Sequence, residues 1–234
     1  MNVTYHPRSV FQLLWHRFGF LLAVIHAFIT PLQLAFLYDN LAFWWFSRSL
    51  DVIGLIAIYL GFHMAFFNRE GVLVSHPLIT AERYVFSRFL IDLLGSFPFD
   101  IFYNGWYRDD SDVLHASAFI RLIRLISFYK IPITFYYLES HQETATDYIR
   151  ITKFVLYIAV FMNMLTCGFF TMACPPFSVF DWRPDSSQLF TIAGFECLAD
   201  SWISSTPMTS SSTNVFELYT VSFYFASATS VSVG

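Results

Sequence analysis

Five apolar segments, each about twenty residues long, constrain what this chain can fold into more than any other feature of its sequence. A helix that crosses the hydrocarbon core of a bilayer needs about 20 mostly apolar residues. We therefore expect an all-α integral membrane protein, with a sixth segment that is too short to cross. The segments lie at roughly 18–37, 50–67, 84–103, 114–136 and 151–172, and the short one follows near 216–228.

The composition excludes proteins that fold in water or bind nucleic acid. Charged residues make up 13% of the 234 residues and hydrophobic residues 56%, whereas soluble domains carry about 25% charged residues. The basic residues are scattered and form no run that could follow the phosphate backbone of a nucleic acid. The histidines are dispersed and show no metal-ligand spacing. The sequence thus predicts a lipid bilayer as the main surroundings, with no nucleic-acid partner, no metal site and no cofactor.

The basic residues that flank the segments predict how the chain is oriented. With the N-terminus inside the cell, the cytoplasmic side receives more of them than the outer side, as membrane proteins generally show. Two of the predicted outer loops are also acidic, which would attract cations but is equally typical of a solvated loop. The cytoplasmic set is Arg8, Arg17, Arg69, Arg83, Arg150 and Lys153, and the outer set is Arg48, Arg108 and Arg183.

The fourth segment carries cations three residues apart on an otherwise apolar helix. Arg121, Arg124 and Lys130 share one slowly winding stripe, and Ser127 interrupts the series. Each charge that crosses a membrane field gains about 2.3 kcal/mol per 100 mV, so the stripe is typical of a voltage sensor. The alternative is an amphipathic helix whose arginines contact headgroups or hold a bundle together.

Two carboxylates on neighbouring segments are the candidate partners of these cations. Asp51 lies in the second segment and Asp92 in the third. A buried carboxylate without a partner is costly, and pairing with a moving arginine lowers that cost at successive positions of the sensor. A static structural ion pair is the alternative.

The last apolar piece has the pattern of a re-entrant pore loop. It is half the length of a span and ends in Ser232, Val233 and Gly234. Non-helical backbone at membrane depth persists only where it lines water or is buried in protein. Carbonyl and hydroxyl oxygens can replace the hydration shell of an ion, and glycine permits the necessary backbone geometry. The alternative is an ordinary sixth span cut short.

The polar stretch before this piece contains two of the three cysteines, Cys174 and Cys197, and we place it outside the cell. These two residues can form a disulfide in that compartment, and the alternative is that all three thiols are unpaired.

Four short stretches carry a resemblance to a known family. They are His6 to Phe11 with Ile29-Thr30-Pro31, the run FLIDLLGSFPFDIF at 89–102, RITKFVLY at 150–157 and DSWI at 200–203. Together they resemble the six-span cation channels of the cyclic-nucleotide-gated, hyperpolarisation-activated and ether-a-go-go superfamily. The resemblance implies a four-helix voltage-sensor-like bundle, a fifth span and a re-entrant pore helix in a tetramer.

The resemblance also implies where the parts of such a channel lie in this chain. Voltage-sensing charges fall at Arg121, Arg124 and Lys130, countercharges at Asp51 and Asp92, and an ion filter begins at Ser232, Val233 and Gly234. The implied domains are a cytoplasmic N-terminus at 1–17, the sensor-like domain at 18–136, a cytoplasmic linker at 137–150 and a partial pore domain at 151–234.

The sequence departs from the family pattern in two ways. Ala57 stands where the family often has a second acid, and no gate helix or cyclic-nucleotide-binding domain follows Gly234. We therefore expect a chain that lacks the sixth span and a cyclic-nucleotide site.

For the complete protein we predict voltage-gated conduction of potassium or another monovalent cation by a homo- or hetero-tetramer in the plasma membrane, and no enzyme activity. The alternative is a non-conducting regulatory or truncated subunit that co-assembles with full-length channels.

Overall fold

A computed structural model of the chain describes residues 9–37, 40–68, 70–99, 120–141, 146–175, 189–205 and 214–231. Most of these residues are helical. In chain order the α-helices are α1 (Val10–Ala35), α2 (Leu41–Phe62), α3 (Pro77–Tyr84), α4 (Leu90–Ser96), α5 (Lys130–His141), α6 (Thr146–Ala173) and α7 (Val215–Ser230). A π turn (Val85–Phe89) joins α3 to α4, a 3₁₀ segment (Arg121–Tyr129) leads into α5, and a short 3₁₀ turn lies at Trp202–Ser205.

Three helices in the described part of the chain are long and apolar enough to cross a bilayer. They are α1, α2 and the part of α6 from Asp147 to Ala173. The helix α1 begins at Val10, earlier than the segment predicted to start at 18, and it contains Pro31. The predicted third and fourth segments are shorter or irregular, and residues 100–119 between them, including Asp100, lie outside the described residues.

Two short antiparallel hairpins, which the sequence did not predict, accompany the helices of this mostly helical chain. The first pairs β1 (Phe66–Phe67) with β2 (Leu73–Val74), and the second pairs β3 (Leu189–Ile192) with β4 (Phe195–Leu198). The second hairpin turns at Ala193 and Gly194, which both have positive φ, 48° and 86°. A two-residue turn with positive φ at both positions matches the twist of the strands that it joins. The hairpin lies in a stretch for which the sequence predicted only polar loop.

The chain divides into two compact units. The first contains Met1–Ala27, Leu41–Pro98 and Ile123–Arg150, and the second contains Phe28–Asn40, Phe99–Leu122 and Ile151–Gly234.

Glycines allow α2 to pack closely on its neighbours in the first unit. A Cβ atom on Gly54 would lie 2.6 Å from the Oγ of Ser96, and one on Gly61 would lie 2.6 Å from the ring of Tyr84. Small residues at such positions let helix backbones approach each other where no hydrophobic effect drives them together, as in lipid. The carboxylates and cations of the first unit are therefore held between closely packed helices.

The core of the second unit contains stacked aromatic rings and a disulfide bond. The rings of Phe36 and Phe170 stack with centroids 4.2 Å apart, and Leu218 of α7 is fully buried in the same cluster. Cys174, just after α6, forms a disulfide with Cys197 of β4, which decides between the two alternatives that the sequence left open. The third cysteine, Cys167, is a free buried thiol.

Candidate functional site

The cationic stripe begins in a 3₁₀ segment, which changes its geometry. A 3₁₀ helix has three residues per turn, so side chains three apart lie directly above one another. The spacing of Arg121, Arg124 and Ser127 therefore forms a straight row along this segment, where an α-helix would wind it. Lys130 follows as the first residue of α5. The segment is nine residues long, whereas 3₁₀ runs beyond about four residues are uncommon and often mark a functional or strained site.

Arg124 forms a buried ion pair with Asp51 of α2. Its Nη2 lies 2.6 Å from Oδ2 of Asp51, and the two side chains are 4% and 3% exposed. Its Nη1 also donates a hydrogen bond to the hydroxyl of Ser47, one turn earlier on α2. Charges buried to this degree are stable only when they are paired and hydrogen-bonded.

Arg48 contacts the same carboxylate, although the sequence placed it in an outer loop. Its Nη1 lies 3.0 Å from Oδ2 of Asp51, and the residue is 8% exposed. Its position in a loop is wrong because α2 begins at Leu41, nine residues before the predicted segment, so Arg48 and Asp51 lie one turn apart on the helix. The side of the membrane on which Arg48 lies stays a prediction. The i,i+3 spacing of an arginine and an aspartate could have revealed this pair from the sequence.

Asp92 of α4 is the centre of a second cluster. Its Oδ1 lies 2.7 Å from Nζ of Lys130 and accepts a hydrogen bond from the hydroxyl of Tyr129 at 2.8 Å. Its other oxygen accepts a hydrogen bond of 2.8 Å from the hydroxyl of Tyr84. The Lys130 side chain keeps 24% of its surface exposed, so this cluster is less enclosed than the one around Asp51. Nothing in the sequence singles out these two tyrosines among its 13.

The gap in the cationic series coincides with a close contact between helices. A Cβ atom on Gly95 of α4 would lie 2.5 Å from the hydroxyl oxygen of Ser127. Ser127 is itself 6% exposed. A long cationic side chain at position 127 would therefore have to displace α4. Packing gives a physical reason for the small residue that interrupts the stripe.

The remaining candidate residues are the first cation of the stripe and the three residues of the candidate filter. Arg121 is 3% exposed at the first residue of the 3₁₀ segment. The candidate filter residues, Ser232, Val233 and Gly234, lie outside the described residues. The helix before them, α7, begins with a capping box in which Asn214 and Glu217 exchange hydrogen bonds between side chain and backbone. The sensing, countercharge and filter roles given to all these residues stay predictions.

The first unit thus holds two acid–cation sites along one row. Arg124 and Lys130 are six residues apart, and each contacts a different carboxylate. At a rise of about 2 Å per residue, these two positions are separated by about 12 Å along the 3₁₀ axis. Such an arrangement can exchange cations between fixed carboxylates, or it can lock the helices in one position.

No family model matches the chain. Potassium channel KOR1 of Oryza sativa subsp. japonica is 28% identical over 244 residues, which cover 97% of this chain and 25% of that protein. Potassium channel SKOR of Arabidopsis thaliana is 26% identical over 237 residues, which cover 98% of this chain and 26% of that protein.

An animal protein matches a shorter part of the sequence. The potassium voltage-gated channel protein eag of Drosophila melanogaster is 29% identical over 119 residues, half of this chain and 10% of that protein. The chain spans about a quarter of the length of the plant relatives that it matches. These relatives are ion channels and not enzymes, as the sequence predicted. The resemblance seen in the sequence is therefore confirmed: the chain is a homologue of plant potassium channels and of animal voltage-gated potassium channels of the eag type.

Proposed function

We propose that the complete protein is a voltage-gated channel for potassium or another monovalent cation, to which this chain contributes the sensor-like helices and part of the pore. The observation that carries the proposal is the buried pair of Arg124 and Asp51. It places a guanidinium group of the stripe in contact with a fixed carboxylate on a helix that is long and apolar enough to span a membrane. The potassium channels named above support the choice of ion.

The mechanism that we propose is a displacement of the cationic row past the two carboxylates. A shift by one 3₁₀ turn is a movement of about 6 Å along the helix axis. It would bring Arg121 into register with Asp51, and Ser127 into register with Asp92. Asp92 would then lose Lys130 while retaining the hydroxyl of Tyr84, which lowers the cost of leaving the carboxylate without a cation. Each charge moved through the field contributes about 2.3 kcal/mol per 100 mV.

The pore assignment rests on α7 and the residues after it. The helix is 16 residues long, shorter than a span. Its buried face contains Leu218, Ser222 and Ala226. In the proposed channel it is the pore helix, and Ser232 to Gly234 begin the filter that coordinates dehydrated ions. One chain supplies one such loop, so the proposal includes a homo- or hetero-tetramer around a central pore, in the plasma membrane.

Currents from the full-length protein in a heterologous cell test the proposal. Changing Arg124→Gln and Arg121→Gln together removes charge from the row, so the conductance–voltage curve should become shallower and shift along the voltage axis. Arg150→Gln, at an exposed position near the start of α6, is the control and should leave the slope unchanged. An unchanged voltage dependence in the double variant would contradict the sensor role. Suppression of a co-expressed channel without current of its own would contradict conduction.

A further inference from the structure

A buried histidine of α1 lies beside the cationic row without a hydrogen-bond partner. His26 is 4% exposed, and neither of its ring nitrogens has a partner among the residues that the structure describes. A neutral imidazole has one nitrogen that donates a hydrogen bond and one that accepts a hydrogen bond. Burying such a group without a partner is costly. His26 can therefore bind a group that does not contact its nitrogens in the described arrangement.

Two observations place His26 level with the region between the two acid–cation sites. The ring of Phe20 on α1 packs edge-on against Phe135 of α5, with centroids 5.5 Å apart. His26 follows Phe20 by about 9 Å along its helix, and Lys130 precedes Phe135 by about 7.5 Å along α5. The charges of Arg124 and Lys130 both act on the ring of His26. Helix α1 thus runs antiparallel to α5, and His26 lies near the part of the row between these two cations.

The proposed displacement leaves Arg124 between the two carboxylates. In the described arrangement Arg124 contacts Asp51 and Lys130 contacts Asp92. These two positions are about 12 Å apart along the 3₁₀ axis, and a shift of one turn moves Arg124 by about 6 Å, half of that distance. Arg124 has then lost Asp51 and has not reached Asp92. A buried guanidinium in this position needs another hydrogen-bond acceptor.

We propose that His26 is this acceptor. The inference rests on the proposed voltage-sensing function: the accepting nitrogen of the ring binds the guanidinium of Arg124 in the displaced position. That nitrogen has no partner in the described arrangement, so the new hydrogen bond forms without breaking another. A neutral acceptor lacks the Coulomb attraction of a carboxylate, so it holds the cation without trapping it. His26 is thus an uncharged intermediate site for Arg124 between Asp51 and Asp92.

The charge movement of the full-length protein in a heterologous cell tests this role, because it reports the position of the row whether or not the pore conducts. His26→Leu removes the acceptor and keeps a side chain of similar size. The ratio of displaced to undisplaced sensors should fall by about tenfold at a given voltage, which corresponds to about 1.4 kcal/mol. With the N-terminus inside the cell, as the basic residues predict, the displacement is inward. The midpoint of the charge movement should therefore shift to more negative voltages.

Three further variants separate this role from a structural one. His26→Gln keeps an oxygen that accepts a hydrogen bond and should recover part of the shift. In the background of Arg124→Gln, which removes the guanidinium, His26→Leu should cause little further shift, since the two residues act as a pair. The matched control is His76→Leu, because His76 is an exposed histidine whose side chain makes no capping hydrogen bond at α3. This control should leave the midpoint unchanged.

Three results would overturn the proposal. One is a shift for His26→Leu that is no larger than that for His76→Leu, and another is a shift to more positive voltages, which would mean that the ring stabilises the described position. The third is an equal shift in the Arg124→Gln background, because the ring would then act through another group.

The failure of this inference differs from the failure of the proposed channel function. If neutralising Arg121 and Arg124 leaves the voltage dependence unchanged, the sensor role fails and the role of His26 fails with it. If voltage dependence responds to those arginines but the charge movement does not respond to His26→Leu, only the role of His26 is overturned.

Discussion

The buried cluster of Asp51, Arg48 and Arg124 depends on the carboxylate of Asp51. Its Oδ2 contacts guanidinium groups from two different segments, Arg48 of α2 and Arg124 of the 3₁₀ segment. The two guanidinium groups share this carboxylate, so its charge attracts both of them and reduces the repulsion between them. Removing one partner of a buried ion pair strongly destabilises a protein, because it leaves the other charge buried without a partner. Replacing the whole pair by apolar residues of similar volume, in contrast, often leaves stability unchanged or raises it.

We therefore expect Asp51→Asn to destabilise the chain strongly. The neutral amide keeps the shape but loses the charge, and removal of one partner of a buried pair costs about 3–5 kcal/mol. The measurement is the unfolding free energy of the purified chain in detergent. Glu82→Gln is the control, because Glu82 is an exposed acid of α3, and it should change stability by less than about 0.5 kcal/mol. A loss for Asp51→Asn as small as that of the control would show that Asp51 does not stabilise the cluster.

Removing either tyrosine hydroxyl that contacts Asp92 should cause a smaller loss of stability than Asp51→Asn. Tyr84→Phe and Tyr129→Phe each keep the ring and remove one hydrogen bond to the carboxylate. Hydrogen bonds to charged groups contribute about 1.5–3 kcal/mol, so each variant should lower the unfolding free energy by about 1.5 kcal/mol. Tyr59→Phe, which removes the hydroxyl of a tyrosine 64% exposed on α2, should have no comparable effect. Equal unfolding free energies for all three variants would show that the two hydrogen bonds to Asp92 do not stabilise the chain.

At the scale of elements, hydropathy and charge spacing predicted part of the site. The long apolar runs predicted α1, α2 and most of α6, because any helix that spans a bilayer needs such a run. The three-residue spacing predicted one cationic stripe, and the cost of buried charge pointed to Asp51 and Asp92 as residues that need partners. The structure brings Arg124 to Asp51 and Lys130 to Asp92.

Other elements could not be predicted because their causes are non-local or ambiguous. A three-residue spacing is compatible with both α and 3₁₀ geometry, so the sequence could not distinguish a winding stripe from a straight row. Tyr84 reaches Asp92 across eight residues and a π turn, which no simple periodicity indicates. The second hairpin has strands of four residues, and Ala193 at its turn is not a residue type that signals positive φ.

The contact between α4 and the 3₁₀ segment makes a prediction at this scale. Gly95→Ala would place a Cβ atom 2.5 Å from the hydroxyl oxygen of Ser127, and overpacking of this kind costs about 1–3 kcal/mol. The variant should therefore have a lower unfolding free energy. The double variant Gly95→Ala with Ser127→Ala should recover most of the loss, because the next nearest atoms of Ser127 are 3.5 and 3.6 Å away.

The control for this pair is a helical glycine in open space. Gly168 of α6 has nothing within 4 Å of an added Cβ, so Gly168→Ala should be neutral or stabilise the helix by up to about 1 kcal/mol. If Gly95→Ala behaves like Gly168→Ala, or if Ser127→Ala brings no recovery, the close contact does not limit the packing of the segment.

At the scale of the whole molecule, the exposed apolar surface and the disulfide together bear on topology. Large apolar side chains are exposed along α1, α2 and α6, among them Phe154 at 66% and Phe161 at 58%. Patches of this kind on helices of spanning length indicate contact with lipid. Disulfides persist in oxidising compartments and are rare in the cytosol. A disulfide between Cys174 and Cys197 is what we expect if the end of α6 lies on the outer side, and this orientation stays a prediction.

This topology predicts the result of thiol labelling on intact cells. A membrane-impermeant reductant followed by an impermeant maleimide should label the chain at Cys174 and Cys197, and the maleimide alone should not. Cys167 is 3% exposed within α6, so the variant that carries Cys167→Ala should give the same labelling. Replacing both Cys174 and Cys197 by Ser should abolish it, and closure of a loop of this length predicts that this double variant also loses about 3 kcal/mol of stability. Labelling that requires permeabilised cells would place the second hairpin in the cytosol, and the proposed orientation of the sensor in the membrane field would then be reversed.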